Sequence, residues 1–157
     1  MNLAYLSLGS NIDKERNLST ALRLLRQSGR LLAASAAYET APVGNAQDPT
    51  FLNAAVILET PLSAPELKAQ VLQPLEEQLG RRRSADPNAP RTIDVDISLF
   101  NDQVLQLGKR HVPDPEILSY PHVAVPLADV APQYRHPETG EALIDIARRV
   151  LLLSGSV

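Results

Sequence analysis

The feature that most constrains the fold is the alternation of side chains in residues 93–100, which read IDVDISLF. Isoleucine, valine, isoleucine and leucine occupy one parity, and two aspartates, a serine and a phenylalanine occupy the other. A period of two residues predicts a half-buried β-strand. Because aspartate is depleted in strands, the presence of both Asp94 and Asp96 in this one requires a compensating reason.

Patterned segments before this strand predict further strands and a helix. The stretch LAYLSL at 3–8 predicts a short buried strand. Apolar residues spaced three and four apart then predict a helix that ends at Gly29. Residues 31–39 and 51–60 predict two more strands, and the composition of 40–50 between them is typical of a loop.

A second helix precedes the acid-bearing strand. Ser63 and Glu66 have the spacing of a capping box, and Pro74 inside the helix is expected to kink it. The order β-α-β-β-α-β is that of an α+β, ferredoxin-like core. Beyond it we expect a C-terminal hairpin, proline-rich loops and a terminal helix near 141–152, all within one domain over residues 1–157.

Composition excludes several classes of protein. The absence of cysteine excludes disulfides, thiolate metal sites and cysteine nucleophiles. A net charge of −3 argues against a protein that coats nucleic acid or an anionic membrane, and the lack of tryptophan argues against a base-stacking platform. No run approaches the roughly 18 apolar residues of a membrane span. We therefore predict a cytoplasmic protein with small-molecule ligands.

The aspartate pair allows two interpretations. On one strand, Asp94 and Asp96 share a face about 6.5–7 Å apart, and they repel each other unless a cation lies between them. Mg²⁺ takes one or two carboxylates and completes its shell with phosphate oxygens, and Arg81, Arg83 and Arg91 just upstream suit polyphosphate. The alternative is a solvated outer face. The residues alone leave a magnesium-nucleotide enzyme and a plain α+β binding domain both open.

Several segments together resemble one known family. They are LSLGSN near the start, TAPVG at 40–44, FLNAAV at 51–56, LE and GRRR within 75–83, PRTIDVD at 90–96 and VPLADVAP at 125–132. In this order and spacing they resemble the 6-hydroxymethyl-7,8-dihydropterin pyrophosphokinases of folate biosynthesis, over nearly the whole chain. The resemblance favours an enzyme that transfers pyrophosphate from ATP to the hydroxymethyl group of the pterin and releases AMP.

The resemblance also implies roles for individual residues on the phosphate side. Asp94 and Asp96 would hold two Mg²⁺ ions that bridge the ATP phosphates. Arg81, Arg83 and Arg91 would bind the phosphate oxygens. All five would thus belong to the catalytic centre.

Two further groups of residues follow from the resemblance. One group would bind the pterin: Thr40, Ala41, Pro42, Val43, Gly44, Phe51, Asn53 and His122. The other would bind the nucleotide: Gln73, Ile97, Lys109 and His111.

The chain departs from the family pattern in one region. PDP at 113–115 stands where the family has P-H-P, and YPH at 120–122 stands where it has R-x-F. Asp114 and Tyr120 therefore replace a histidine and an arginine that help to bind ATP, and His122 replaces an aromatic residue that stacks on the pterin.

These departures keep alternatives open. Lys109, Arg110 and Arg82 are candidates to compensate for the lost phosphate contacts. The chain could instead be a paralogue that acts on another pterin-like alcohol, a nucleotide- or pterin-binding module without turnover, or, more remotely, an RNA-binding domain.

Overall fold

A five-stranded antiparallel sheet forms the centre of the computed structural model, which describes residues 1–40, 50–80 and 93–154. The strand order is β2-β4-β1-β5, and β3 also pairs with β4. A separate hairpin follows the sheet. The strands are β1 (Asn2–Ser10), β2 (Arg30–Ala34), β3 (Tyr38–Thr40), β4 (Phe51–Thr60), β5 (Asp94–Phe100), β6 (Leu105–Leu107) and β7 (Arg110–Val112).

Helices cover both faces of the sheet. Leucine and alanine side chains of the first three helices pack on one face, and those of the last two pack on the other. Short π- and 3₁₀-helical segments join them. The helices are α1 (Lys14–Ser28), α2 (Ala64–Leu67), a π-helix (Lys68–Leu72), α3 (Gln73–Gln78), a 3₁₀-helix (Pro115–Leu118), α4 (Pro121–Val130) and α5 (Leu143–Ser154).

The predicted βαββαβ core is confirmed, but the strand expected at 31–39 is divided into β2 and β3. At the division the Ser35 hydroxyl accepts a hydrogen bond of 2.8 Å from the Ala55 amide. A side chain therefore replaces the main-chain partner, and the register of β2 on β4 has already shifted just before it.

The second predicted helix begins with the expected capping box. The Glu66 amide donates to the Ser63 hydroxyl at 3.3 Å, and the Ser63 amide donates to a Glu66 carboxylate oxygen at 2.9 Å. Instead of a simple kink at Pro74, the chain forms the π-helical segment, in which the Gln73 amide donates to the Lys68 carbonyl. Proline lacks an amide hydrogen, so a wider turn before it is a way of continuing the helix.

The prediction that β5 is half-buried is wrong at its C-terminal end. Tyr5 of β1 pairs with Leu99 while the next residue, Leu6, pairs with Ile97, so Ser98 is an extra residue in the strand. Because this bulge reverses the alternation, Leu99 joins the α4–α5 side of the core and Phe100 joins the α1–α3 side.

The expectation of proline-rich loops after the hairpin is also wrong in part, because α4 lies within that region. Pro121 occupies the first turn of α4, where no amide hydrogen is needed. Pro126 is tolerated inside the helix, where it is buried in the core. In the described residues no helix has both the length and the apolar character needed to cross a membrane.

Core packing makes a direct prediction about stability. Leu58 on β4 is fully buried, whereas Leu32 on β2 is 44% exposed. We expect Leu58→Ala to lower the free energy of unfolding by about 2–5 kcal/mol because it leaves a cavity. The matched change Leu32→Ala should cost about 0.5 kcal/mol or less. Urea denaturation measures both, and equal losses would contradict this description of the core.

Candidate active site

Strand register brings the acid pair and the predicted pterin-binding residues to one end of one face. Gly9 of β1 pairs with Asp94 of β5 on one side and with Asn53 of β4 on the other. Paired residues of antiparallel strands share a face of the sheet, so Asp94 and Asn53 lie on the same face about 10 Å apart with Gly9 between them. Asp96 lies on the same face two residues after Asp94 on β5, and Phe51 lies on it two residues before Asn53 on β4.

Gly9 leaves a gap between the two sides. A Cβ atom built at Gly9 would lie 3.1 Å from Asn53 Oδ1 and 3.9 Å from a Phe51 ring carbon. The first distance is tighter than ordinary van der Waals contact, so any larger residue would displace the amide. Glycine therefore keeps a groove open between the carboxylates and the Asn53–Phe51 pair.

Thr40 fixes the orientation of Asn53. The Asn53 side-chain nitrogen donates to the Thr40 hydroxyl at 2.7 Å, and Thr40 is held beside Asn53 because β3 pairs with β4. With its nitrogen engaged, the amide directs its carbonyl oxygen toward the groove. Asn53 is buried and Phe51 is half-buried, which suits a site that takes a flat polar heterocycle.

An arginine that the sequence offered only as a candidate to replace lost phosphate contacts, Arg110, lies beside the acid pair. Arg110 Nη1 lies 3.2 Å from Asp96 Oδ1, and Arg110 Nη2 lies 2.8 Å from Asp114 Oδ2. Asp114 is 4% exposed, and its other oxygen accepts the Glu116 amide at 2.9 Å at the start of the 3₁₀-helix. The residue that departs from the family pattern is thus a buried anchor for Arg110.

Burial and neighbouring charge act strongly on Asp96. Burial, followed by the charge of Asp94, raises the pKa of Asp96 to about 7, although Arg110 opposes the rise. Glu76 and Asp114 add smaller contributions in the same direction as Asp94. Glu76 lies behind the strand, where its carboxylate accepts the Val95 amide at 2.9 Å. Strongly shifted carboxylates gather at functional sites, and an excess of negative charge favours a bound cation.

The donor set fits magnesium better than a transition metal. In the described ranges no cluster of three or more histidine, aspartate and glutamate side chains could hold a metal ion. Asp94 and Asp96 supply only carboxylate oxygens, and Mg²⁺ uses one or two such groups together with water and phosphate oxygens. The residues present therefore suit an ion that arrives with a phosphate ligand.

His122 lies near the same site at the start of α4. Its ring centroid is 5.4 Å from that of Tyr120, with the planes inclined by 36°. Burial lowers the pKa of His122, and the charge of Asp114 partly opposes this. The neutral imidazole that results at pH 7 could stack on a heterocycle.

The predicted nucleotide-binding residues have different surroundings. Ile97 is 2% exposed in the core beneath α1–α3, and Gln73 is half-buried at the start of α3. His111 pairs with Glu138 at 3.0 Å. Lys109 is exposed in the β6–β7 turn.

Several predicted site residues lie outside the described part of the chain. They are Ala41, Pro42, Val43, Gly44, Arg81, Arg83 and Arg91. The sequence pattern missed the bridge formed by Arg110 between Asp96 and Asp114. Its only signal was a basic and an acidic residue four positions apart, which is too common a pairing to assign a role.

A ferredoxin-like α+β sheet that carries paired carboxylates beside an arginine is suited to a metal–phosphate ligand. Residues 5–132 match the family model described as 7,8-dihydro-6-hydroxymethylpterin-pyrophosphokinase (HPPK). The chain belongs to this family.

Curated relatives agree with the family assignment. The chain is 39% identical over 141 residues to the 2-amino-4-hydroxy-6-hydroxymethyldihydropteridine pyrophosphokinase of Bacillus subtilis, which covers 88% of this chain and 83% of that protein. It is 37% identical over 137 residues to the protein of the same name from Pseudomonas aeruginosa, covering 85% and 83%.

Solved structures confirm the fold. The structure of Plasmodium falciparum HPPK-DHPS wild type superposes with a TM-score of 0.77 at 16% identity, over 99% of this chain. This chain spans only 46% of that longer protein. The likeness at this identity concerns the fold alone.

The raised pKa of Asp96 predicts a pH-dependent stability. An unfolded aspartate has a pKa of about 3.9, so the folded chain holds this proton more tightly. The stabilisation is complete below about pH 4 and is lost as the pH rises through 7. In metal-free protein, Asp96→Asn should therefore raise Tm at pH 8 and leave it nearly unchanged at pH 4.

Thermal denaturation monitored by circular dichroism tests this expectation. The control Asp145→Asn removes an exposed carboxylate from the first turn of α5 and should not raise Tm at either pH. A lower Tm for Asp96→Asn at pH 8 would contradict the proposed electrostatics.

Proposed function

We propose that this chain transfers the pyrophosphoryl group of ATP to the hydroxymethyl oxygen of 6-hydroxymethyl-7,8-dihydropterin and releases AMP. The observation that carries the proposal is the register that sets Asp94 and Asn53 on one face with Gly9 between them. A phosphate-binding side and a heterocycle-binding side then border one groove. The names of the curated relatives support the same reaction.

The phosphate side consists of the acid pair and its charged neighbours. Asp94 and Asp96 would hold magnesium, which supplies charge stabilisation on the phosphate oxygens when bound. Arg110 directs guanidinium donors to the same place. In the reaction the pterin oxygen forms a bond to the β-phosphorus, the bond from that phosphorus to the AMP oxygen breaks, and the hydroxyl proton is lost.

The pterin side is built for positioning. Asn53, fixed by Thr40, presents its carbonyl oxygen to a donor on the ring edge, and Phe51 and His122 offer aromatic faces. Holding the hydroxymethyl group against the phosphate removes much of the entropic barrier to a reaction between two substrates.

Several sequence expectations remain predictions within this proposal. They are the number of two magnesium ions, the phosphate contacts of Arg81, Arg83 and Arg91, the adenosine contacts of Gln73 and Ile97, and the nucleotide contacts of Lys109 and His111. The pterin contacts of residues 40–44, the single domain over 1–157 and the cytoplasmic location are predictions of the same kind.

Release of AMP tests the reaction and the acid pair together. With Mg-ATP and the pterin, the wild type should form AMP and the pterin pyrophosphate in equal amounts. We expect Asp94→Ala and Asp96→Ala each to lower kcat by about 100-fold or more, because each removes charge stabilisation at the transferred group. Asp145→Asn, far along the chain on α5, should retain wild-type rates.

Two outcomes would contradict the proposal in different ways. Pterin binding without AMP formation by the wild type would indicate a binding module without turnover. AMP formation only with another pterin-like alcohol would indicate a paralogue with a different acceptor.

Substitution of Gly9 tests the geometry of the groove. Gly9→Ala places a methyl group 3.1 Å from Asn53 Oδ1 and should raise KM for the pterin about tenfold, roughly the value of one hydrogen bond. KM for ATP should change little. Steady-state kinetics with each substrate varied in turn provides the measurement, and an equal rise in both KM values would show that the groove is wrongly assigned.

A further inference from the structure

Arg110 occupies a position that a metal ion at Asp96 would contest. Its guanidinium lies between Asp96 and Asp114 and is about one-third exposed. The Nε atom is buried and has no hydrogen-bond partner among the described residues. One donor of this guanidinium thus remains unused while another engages the carboxylate expected to bind a cation.

Asp114 keeps the guanidinium in this place. The Asp114 amide donates to the Ser98 carbonyl at 2.9 Å, which ties it to the bulge of β5. One of its carboxylate oxygens is committed to the Glu116 amide and the other to Arg110. Because Asp114 is fixed, Arg110 can move far from Asp96 only by breaking its ion pair with the buried Asp114 carboxylate.

A bare divalent cation and a metal–polyphosphate complex would meet this arrangement differently. The bare cation must compete with Arg110 for Asp96 and is repelled by the guanidinium charge at a few ångströms. The complex carries phosphate oxygens, which accept the donors that Arg110 withdraws from Asp96 and neutralise its charge. Arg110 therefore opposes the first ligand and favours the second.

We propose that Arg110, held by Asp114, makes the acid pair selective for a metal–polyphosphate complex over the bare divalent cation. The inference rests on the proposed function for the identity of the polyphosphate as a nucleoside triphosphate. It adds a specificity-determining residue to the reaction, and it gives the Asp114 departure from the family pattern a role.

Binding of Mn²⁺, monitored through the electron paramagnetic resonance signal of the free ion, tests the proposal. Titrations are made without nucleotide and with α,β-methylene-ATP, in which the bond to be broken is a stable carbon bridge. In Arg110→Met we expect the affinity for bare Mn²⁺ to rise on the order of tenfold and the affinity for the Mn²⁺–analogue complex to fall on the order of tenfold. Arg110→Lys keeps the positive charge, so its affinities for bare Mn²⁺ and for the Mn²⁺–analogue complex should both lie close to those of the wild type.

Two controls separate selectivity from folding and from general charge. Arg110→Met combined with Asp114→Asn avoids leaving the buried Asp114 carboxylate without its partner, and it should show the same opposite changes if the single variant is unstable. Arg148→Met removes an arginine that is 72% exposed on α5 and should change neither affinity. Circular dichroism confirms that each variant is folded.

The opposite signs of the two changes are the decisive result. A fall in both affinities, or no change in either, would overturn the proposal and leave Arg110 as a structural brace. Failure of the wild type to bind the Mn²⁺–analogue complex would overturn the metal assignment as well. If the wild type releases AMP but Arg110→Met does not change the two affinities in opposite directions, the proposed function stands and this inference alone is rejected.

Discussion

The pairing of β1 with both of its neighbours is the interaction on which the rest of the structure depends. Nine residues of β1 pair in unbroken register with β4, and six pair with β5. A slip of β5 by one residue would turn each of its side chains to the opposite face of the sheet. It would bury the two aspartates beneath α1–α3 and separate them from Asn53 and Phe51. The groove therefore exists only in this register.

The bulge at Ser98 resolves a conflict within β5. Its N-terminal half presents carboxylates on the face that carries Asn53, whereas its C-terminal half supplies apolar side chains to both layers of the core. The extra residue reverses the alternation, so Leu99 packs against α4–α5 and Phe100 packs on the other face. The hydroxyl groups of Ser98 and Ser7, 2.6 Å apart, satisfy each other at this point.

Excess negative charge at the site opposes folding and favours ligand binding. Asp94, Asp96, Glu76 and Asp114 are close enough for the other three to raise the pKa of Asp96. Arg110 supplies a fixed counter-charge, but it leaves Asp96 partly unstabilised. In the proposed function, a cation that arrives with its own phosphate ligands would relieve this repulsion. The charge that weakens the empty fold would then supply binding energy for the substrate complex.

The sequence by itself determined the order of strands and helices, the capping box at Ser63 and the strand that carries the acid pair. These follow from hydrophobic period and local hydrogen bonding, which act between residues near one another in the chain. The resemblance to a family added the candidate residues Asn53 and Phe51.

Only the tertiary structure decided the division of 31–39, the bulge at Ser98 and the bridge from Asp96 through Arg110 to Asp114. Each depends on a partner from another element: Ala55 for Ser35, β1 for Ser98, and β7 for Asp96. No period within one segment encodes such a partner, because its position is set by how the strands pair and how the helices cover them. Sequence determined which groups the site contains, and packing decided which of them face one another.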